Sequence, residues 1–433
     1  AQGLGNISLT STGTTTFSST VVASSVVQNS STGTTAINGG SITTTGVQTY
    51  GNAVTLGATT TLESSASGNI TFSSTVNGAQ ALTVNTSGAT VFSGIVGGTT
   101  NLTSITTDAG GTVSFGNNIT TTGAQTYNDA ATLTAATTLS ASSITTGSTL
   151  AASTFALTLT TDAVALGGNV SGSGALVIQP KTATTTIGLG TSASGSLHLS
   201  DTELGYLQDG FSSITLGSTS GTGAIAYTTA TNYTFNDPLT IRSSSGTITA
   251  TSALNTSANS LTITSGGAVT LAAITSGTLA VTGTGITLNG DITTSGTQTY
   301  TGAVTLGASI TAASTGASSA GNNISFTSTV NGARALTINA GTGAISLGST
   351  VGNTTALTSL ATTSTHASGT TISGNITTTG TQTYTSNLTL SAANNELSTT
   401  NSPVIITGNV IGGSSSSTLI LEFLGSGQYK HNG

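Results

Sequence analysis

The chain has 433 residues, of which only 3% are charged: 4 Lys or Arg against 11 Asp or Glu, a formal net charge of −7. So few cations leave no electrostatic footprint for nucleic acid or an anionic membrane surface, and the absence of Cys excludes disulfides and thiolate metal sites. Hydrophobic residues make up 35% of the chain and alternate with Thr and Ser, as in Leu-Thr-Val-Asn-Thr from Leu82, a pattern of pleated strands rather than of disorder.

Along the chain, the first phrase to recur is Gln-Thr-Tyr, at Gln48–Tyr50, Gln125–Tyr127, Gln298–Tyr300 and Gln382–Tyr384. A Thr-rich strand precedes each copy and an apolar strand follows, as in Ile292–Leu306. The gaps correspond to about four, eight and four coils of a stacked solenoid, so one higher-order module spans about four coils and the copy due near residue 210 is replaced. Tyrosines that far apart cannot stack on one another, so the phrase predicts a repeated corner and no ladder of rings.

The segment Ile70–Leu82 (ITFSSTVNGAQAL) returns almost letter for letter at Ile324–Leu336 (ISFTSTVNGARAL). Each copy is echoed by the stretch that follows it. Phe72, Val76 and Leu82 recur as Phe92, Val96 and Leu102, and Ile324, Phe326, Val330 and Leu336 as Ile345, Leu347, Val351 and Leu357. A constant step of about 20–21 residues predicts an all-β fold, a parallel β-helix (β-solenoid) whose coils have that length. Asn-Gly at Asn77–Gly78 and Asn331–Gly332 and Gly-Asn-Asn at Gly116–Asn118 and Gly321–Asn323 supply corners, because Gly and Asn tolerate positive φ. Antiparallel hairpins are the alternative for Asn-Gly, but they have no reason to restore one register at a fixed step. The whole chain, residues 1–433, thus reads as a single elongated solenoid.

The middle module, residues 165–240, departs from the pattern. Ser200-Asp201-Thr202-Glu203 reads as a capping box, with Leu204 and Leu207 on one face and Asp209-Gly210 as a stop. A short helix near residues 201–208 is predicted, then a return to strand at Ser213–Leu216. At the other end, Leu419–Leu424 (LILEFL) is the most apolar run, so residues 415–433 read as a C-terminal cap or subunit-contact segment, since the open end of a solenoid exposes unpaired edges.

The phrases NITFSSTVNGAQALTV, GNITTTGTQTY and LHLSDTELGYLQDGFSSITLGS resemble the repeat regions of filamentous-haemagglutinin-like large exoproteins, also called β-strand-repeat proteins. The resemblance covers most of the chain. It implies a right-handed parallel β-helix, export to the bacterial cell surface, and a role in adhesion, biofilm or fibre formation. A first residue other than Met, no Met or Trp anywhere and no apolar run near membrane length accord with an extracellular protein and no membrane span. No Asn-Pro-Asn-containing secretion domain and no sorting signal is found.

Chemistry-bearing residues are sparse. His198, Asp201, Glu203 and Asp209 form the one cluster of titratable groups; three carboxylates and an imidazole could converge as an acid/base or metal site. The preferred reading is structural, with Asp201 and Glu203 complementing the helix start and Asp209 helping to end it. Lys181, Arg242, Arg334 and Lys430 lie far apart in sequence, and Arg334 stands where the first copy has Gln80, an exposed, permissive position. Calcium-binding Gly/Asp nonapeptides are absent, His366 and His431 sit among polar residues, and Gly-rich Thr264–Val269 lacks the Lys of a phosphate loop. The runs Thr43–Thr45, Thr120–Thr122 and Thr377–Thr379 hint at an ice- or glycan-binding face. They recur once per module, however, so a continuous array is not expected and a solvated strand face is preferred. No catalytic, cofactor-binding or metal-ligating residue and no cofactor is assigned. The expected partners are further copies of the chain, joined head to tail through terminal coils, or the rest of a longer exoprotein; cell-surface glycans are a further candidate.

Overall fold

The structure, a computed structural model, describes residues 3–29, 32–316, 322–413, 417–424 and 429–431. The chain divides into two compact units, Ala1–Gly217 and Ser218–Gly433. Each is a β-solenoid of short parallel strands with almost no helix. The central expectation holds: Phe326 lies beside Leu347 and Ile324 beside Ile345 on adjacent parallel strands, as Phe72 lies beside Phe92.

Alternation produces this architecture directly. In Ala81–Thr86 the burial pattern is strictly in and out, with Leu82 and Val84 inside and Thr83 and Asn85 outside. Period-2 side chains put one face of every strand toward the axis, and the parallel step brings the same residue type back onto that face. The step itself is not constant. Val269 is followed on the next rung by Ile286, whereas Gln298 is followed by Ile324. Chain is added or removed at corners, where it costs no core contact.

The repeated segments show where the extra chain goes. Leu82 pairs not with Leu102 but with Ile105, and Leu336 not with Leu357 but with Leu360, which corrects the step read for these residues. The cause is identical in both copies. Asn77 Oδ1 accepts from the Thr99 and Thr100 N–H groups, and Asn331 Oδ1 from those of Thr354 and Thr355. The side chain thus holds open a widened corner in the next coil. Gly78 and Gly332 adopt φ of 127° and 128°, so Asn-Gly turns a corner between parallel strands instead of closing a hairpin.

The Gln-Thr-Tyr phrase is a buried clip. Gln48 Nε2 donates to Ile42 O at 3.1 Å, in the preceding strand Ser41–Thr44, and to Glu63 O at 2.8 Å, on the strand paired with that one in the next coil. Tyr50 hydroxyl then donates to Gln48 Oε1 at 2.8 Å. The same tyrosine-to-glutamine bond recurs at Tyr127, Tyr300 and Tyr384, and the reach to the next rung at Ser140, Ala313 and Ser398. Two residues before each corner glycine, a Thr hydroxyl (Thr44, Thr121, Thr294 or Thr378) donates to that glycine's carbonyl. Gln and Tyr are both fully buried at all four sites, and burial drives the phenol pKa values far above their usual range.

Rings do stack, contrary to the reading from tyrosine spacing alone. Tyr50 stacks on Phe72 at 5.3 Å and Phe72 on Phe92 at 5.2 Å, and Tyr300 stacks on Phe326 at 4.6 Å. Tyr partners Phe from the next coil, so the column crosses residue types.

The helix is Asp201–Tyr206, with Ser200 and Glu203 making both bonds of the capping box, and Leu204 is buried. Ala175–Gln179 pairs with Ser213 onward, and between them Ile187–Leu189 pairs with Leu197–Leu199 on a much shorter loop. In the C-terminal segment, Thr418–Phe423 pairs along Asn394–Thr399 with alternate residues exposed. The remainder of 415–433 beyond the described residues, Gly321 of the second Gly-Asn-Asn corner, and the side chains of Lys430 and His431 lie outside the description.

Candidate functional site

The titratable cluster does not converge on a free site. Glu203 Oε2 accepts from Ser200 N and Oγ, and its Oε1 accepts from Leu166 N at 2.9 Å, tying the helix to a strand of the solenoid. Asp201 Oδ1 accepts from Thr191 N, and His198 Nε2 lies 3.0 Å from Gly190 O. Glu203 thus caps the helix start, as the structural reading of the sequence has it, while Asp201 serves a backbone donor outside the helix. Asp162, unremarked in the sequence, is a stronger hub: it accepts from the backbones of Lys181 and Thr182 and from the hydroxyls of Thr182 and Thr185. Against a burial effect that raises its pKa, these donors hold it below the usual carboxylate value. Lys181 Nζ donates to Thr121 O. No group of three His, Asp or Glu side chains gathers into a metal-binding arrangement among the described residues, nor is any helix long and apolar enough to cross a membrane.

What the fold does assemble is hydroxyl columns. In the first unit Ser41, Thr61, Thr83, Thr106, Thr126 and Thr145 occupy one outward register on successive coils. In the second unit one column is Thr249, Thr270, Thr287 and Thr305, and another is Thr299, Ser325, Ser346, Thr371 and Thr389. Each column runs for four to six rungs, a regularity that the Thr-Thr-Thr runs did not reveal. Those runs mark corners of the Gln-Thr-Tyr clip. The columns are built from single Thr and Ser residues in different phrases, which parallel stacking sets about 4.8 Å apart.

One column begins differently. Leu239–Ser243 (LTIRS) and Leu261–Ser265 (LTITS) are adjacent rungs that match except at one outward position, placing Arg242 beside Thr264. Thr282 and Thr301 continue the column. Arg242 lines an open groove of about 550 Å³ with Thr219, Thr240, Ser244, Thr264 and Thr282. Its Nε is shut off from solvent and has no hydrogen-bond partner. The strand match was the available signal, but a lone Arg distant from other charges in sequence gave no reason to weigh it. Arg334 is exposed and donates to Gly307 O.

Fold and surface together define a β-solenoid repeat protein with hydroxyl-bearing outer columns. Compared with known proteins, the chain matches no family model, no curated protein and no solved structure.

Proposed function

We propose that the chain is an extracellular structural and adhesive solenoid, a segment of a surface fibre or of the stalk of a large adhesin, with no catalytic role. The observation that carries this reading is the pairing of an outward face of aligned hydroxyls with carboxylates such as Asp162, Asp201 and Glu203 that hold backbone. Such a face offers repeated donors, acceptors and Thr methyl groups to another surface. The resemblance of its phrases to filamentous-haemagglutinin-like exoproteins supports the extracellular placement. Core-register residues that stay incompletely covered on outer coils, Leu4 in the first unit and Leu419, Leu421 and Phe423 in the second, support axial association with further coils, since an unstacked rung leaves strand edge and core side chains uncovered.

The test is display of the chain on non-adherent carrier cells. Attachment to abiotic or glycan-coated surfaces above that of the bare carrier is expected; attachment equal to the carrier's refutes the adhesive role. Electron microscopy that finds only monomers at high protein concentration refutes self-association.

A second reading is favoured by the column Thr61–Thr83–Thr106–Thr126–Thr145, whose regular hydroxyls and methyls suit ordered water or a neutral glycan. Ice-shaping assays and glycan arrays that both come back blank would remove it.

A further inference from the structure

We infer that the groove headed by Arg242 is a binding site for a carboxylated saccharide, such as a uronic-acid-containing glycan. Three features converge on this chemistry. First, Arg242 Nε is buried without a partner, and no Asp or Glu lines the groove beside the guanidinium. A buried unpaired guanidinium nitrogen is costly, so a charge-balancing anion on the groove side is favoured, and the terminal nitrogens match a carboxylate in two parallel hydrogen bonds.

Second, the rest of the lining is hydroxyl and methyl. Thr219, Thr240, Ser244, Thr264 and Thr282 can exchange hydrogen bonds with sugar hydroxyls, and Thr Cγ2 methyls can meet the C–H faces of a pyranose. The groove volume of about 550 Å³ is in the range of small-ligand sites. Arg242, Thr264 and Thr282 lie in one column on three successive rungs, so a short linear saccharide can run along the column with its acidic group on Arg242.

Third, the charge selects against denser anions. A single cation stands in the groove of a chain whose formal net charge is −7. One Arg without Lys neighbours matches one carboxylate, whereas a polyphosphate or nucleic acid needs several cations.

The inference is independent of the adhesive role: a chain that binds the acidic sugar without promoting attachment retains this site and loses that function. Isothermal titration calorimetry of the full chain would use trigalacturonate, its methyl ester and inorganic sulfate. Binding of trigalacturonate is expected, with the methyl ester and sulfate at least about tenfold weaker. Arg242→Gln should weaken binding by at least about tenfold, and Arg242→Lys, which keeps the charge without the fork, should fall between. Arg334→Gln should bind like the wild type. Circular dichroism establishes that each variant is folded, and Thr264→Val, expected to weaken binding, substitutes if Arg242→Gln is not. No binding of trigalacturonate, equal binding of the ester, or wild-type affinity in a folded Arg242→Gln overturns the site. Sulfate bound as tightly as trigalacturonate reduces it to a general anion site and overturns the saccharide assignment.

Discussion

Gln298 illustrates how single side chains hold this fold. Its amide reaches Ala313 O at 2.7 Å and Thr294 Oγ1 at 3.1 Å while accepting from Tyr300, with no exposed surface. Gln298→Ala removes three bonds and leaves the Tyr300 hydroxyl without an acceptor, a loss of about 2–4 kcal/mol expected in chemical denaturation. Tyr300→Phe deletes only one partner of one bond and should cost less. Asp129 is a counter-example, a polar group that weakens the stack. It is 2% exposed, its Oδ1 accepts from Gly111 N, and its Oδ2 has no partner. Burial, reinforced by the charge of Asp108, raises its pKa above the usual 3.8, and the Gly111 N–H and the nearby Thr107 hydroxyl oppose the shift. A carboxyl whose folded pKa exceeds its unfolded one holds extra protons in the native state. Stability therefore falls as pH rises from the ordinary aspartate value through the raised one, and stays reduced above it. Asp129→Asn should accordingly raise the thermal midpoint at pH 7–8 and leave it unchanged at pH 3. An equal change at both pH values would refute titration as the cause.

At the scale of elements, the corners decide register. Asn77 holds the wide corner of the next coil through Thr99 and Thr100, and Gly78 turns its own with φ 127°. A Cβ at Gly78 would come within 2.3 Å of Leu56 O, a clash with backbone that cannot rotate away. Gly78→Ala should destabilise by more than the roughly 1 kcal/mol of a helical Gly/Ala difference, whereas Asn77→Ala should loosen the following corner with a smaller loss. Limited proteolysis at residues 97–101 separates the two effects, since only Asn77→Ala should increase cleavage there specifically. The helix Asp201–Tyr206 was legible because its capping box is local chemistry. Glu203 bonding to Leu166 N was not legible, because that contact joins residues distant in the chain.

For each unit as a whole, stacking makes stability a property of neighbours. A coil has too few buried side chains to stand alone, so interior rungs gain from two interfaces and outer rungs from one. Native-state hydrogen exchange should be slowest at interior strands such as Ser104–Thr107 and fastest at outer ones such as Leu4–Leu9 and Thr418–Phe423. Uniform protection across all of these strands would show that nearest-neighbour stacking does not govern stability.

The amino-acid sequence by itself determined the class of fold. Alternation sets which side chains face inward, and recurrence of Phe72 at Phe92 and of Phe326 at Leu347 requires parallel rungs; both are properties of residues read one after another. The tertiary structure alone decided which residues share a rung where corners lengthen, as with Leu82 beside Ile105. It also decided that Tyr50 stacks on Phe72, that scattered threonines align, and that Arg242 heads a column of hydroxyls. The reason is geometric: a corner absorbs or releases residues without disturbing the core, so lateral neighbours on the outer face depend on the summed length of every turn between them.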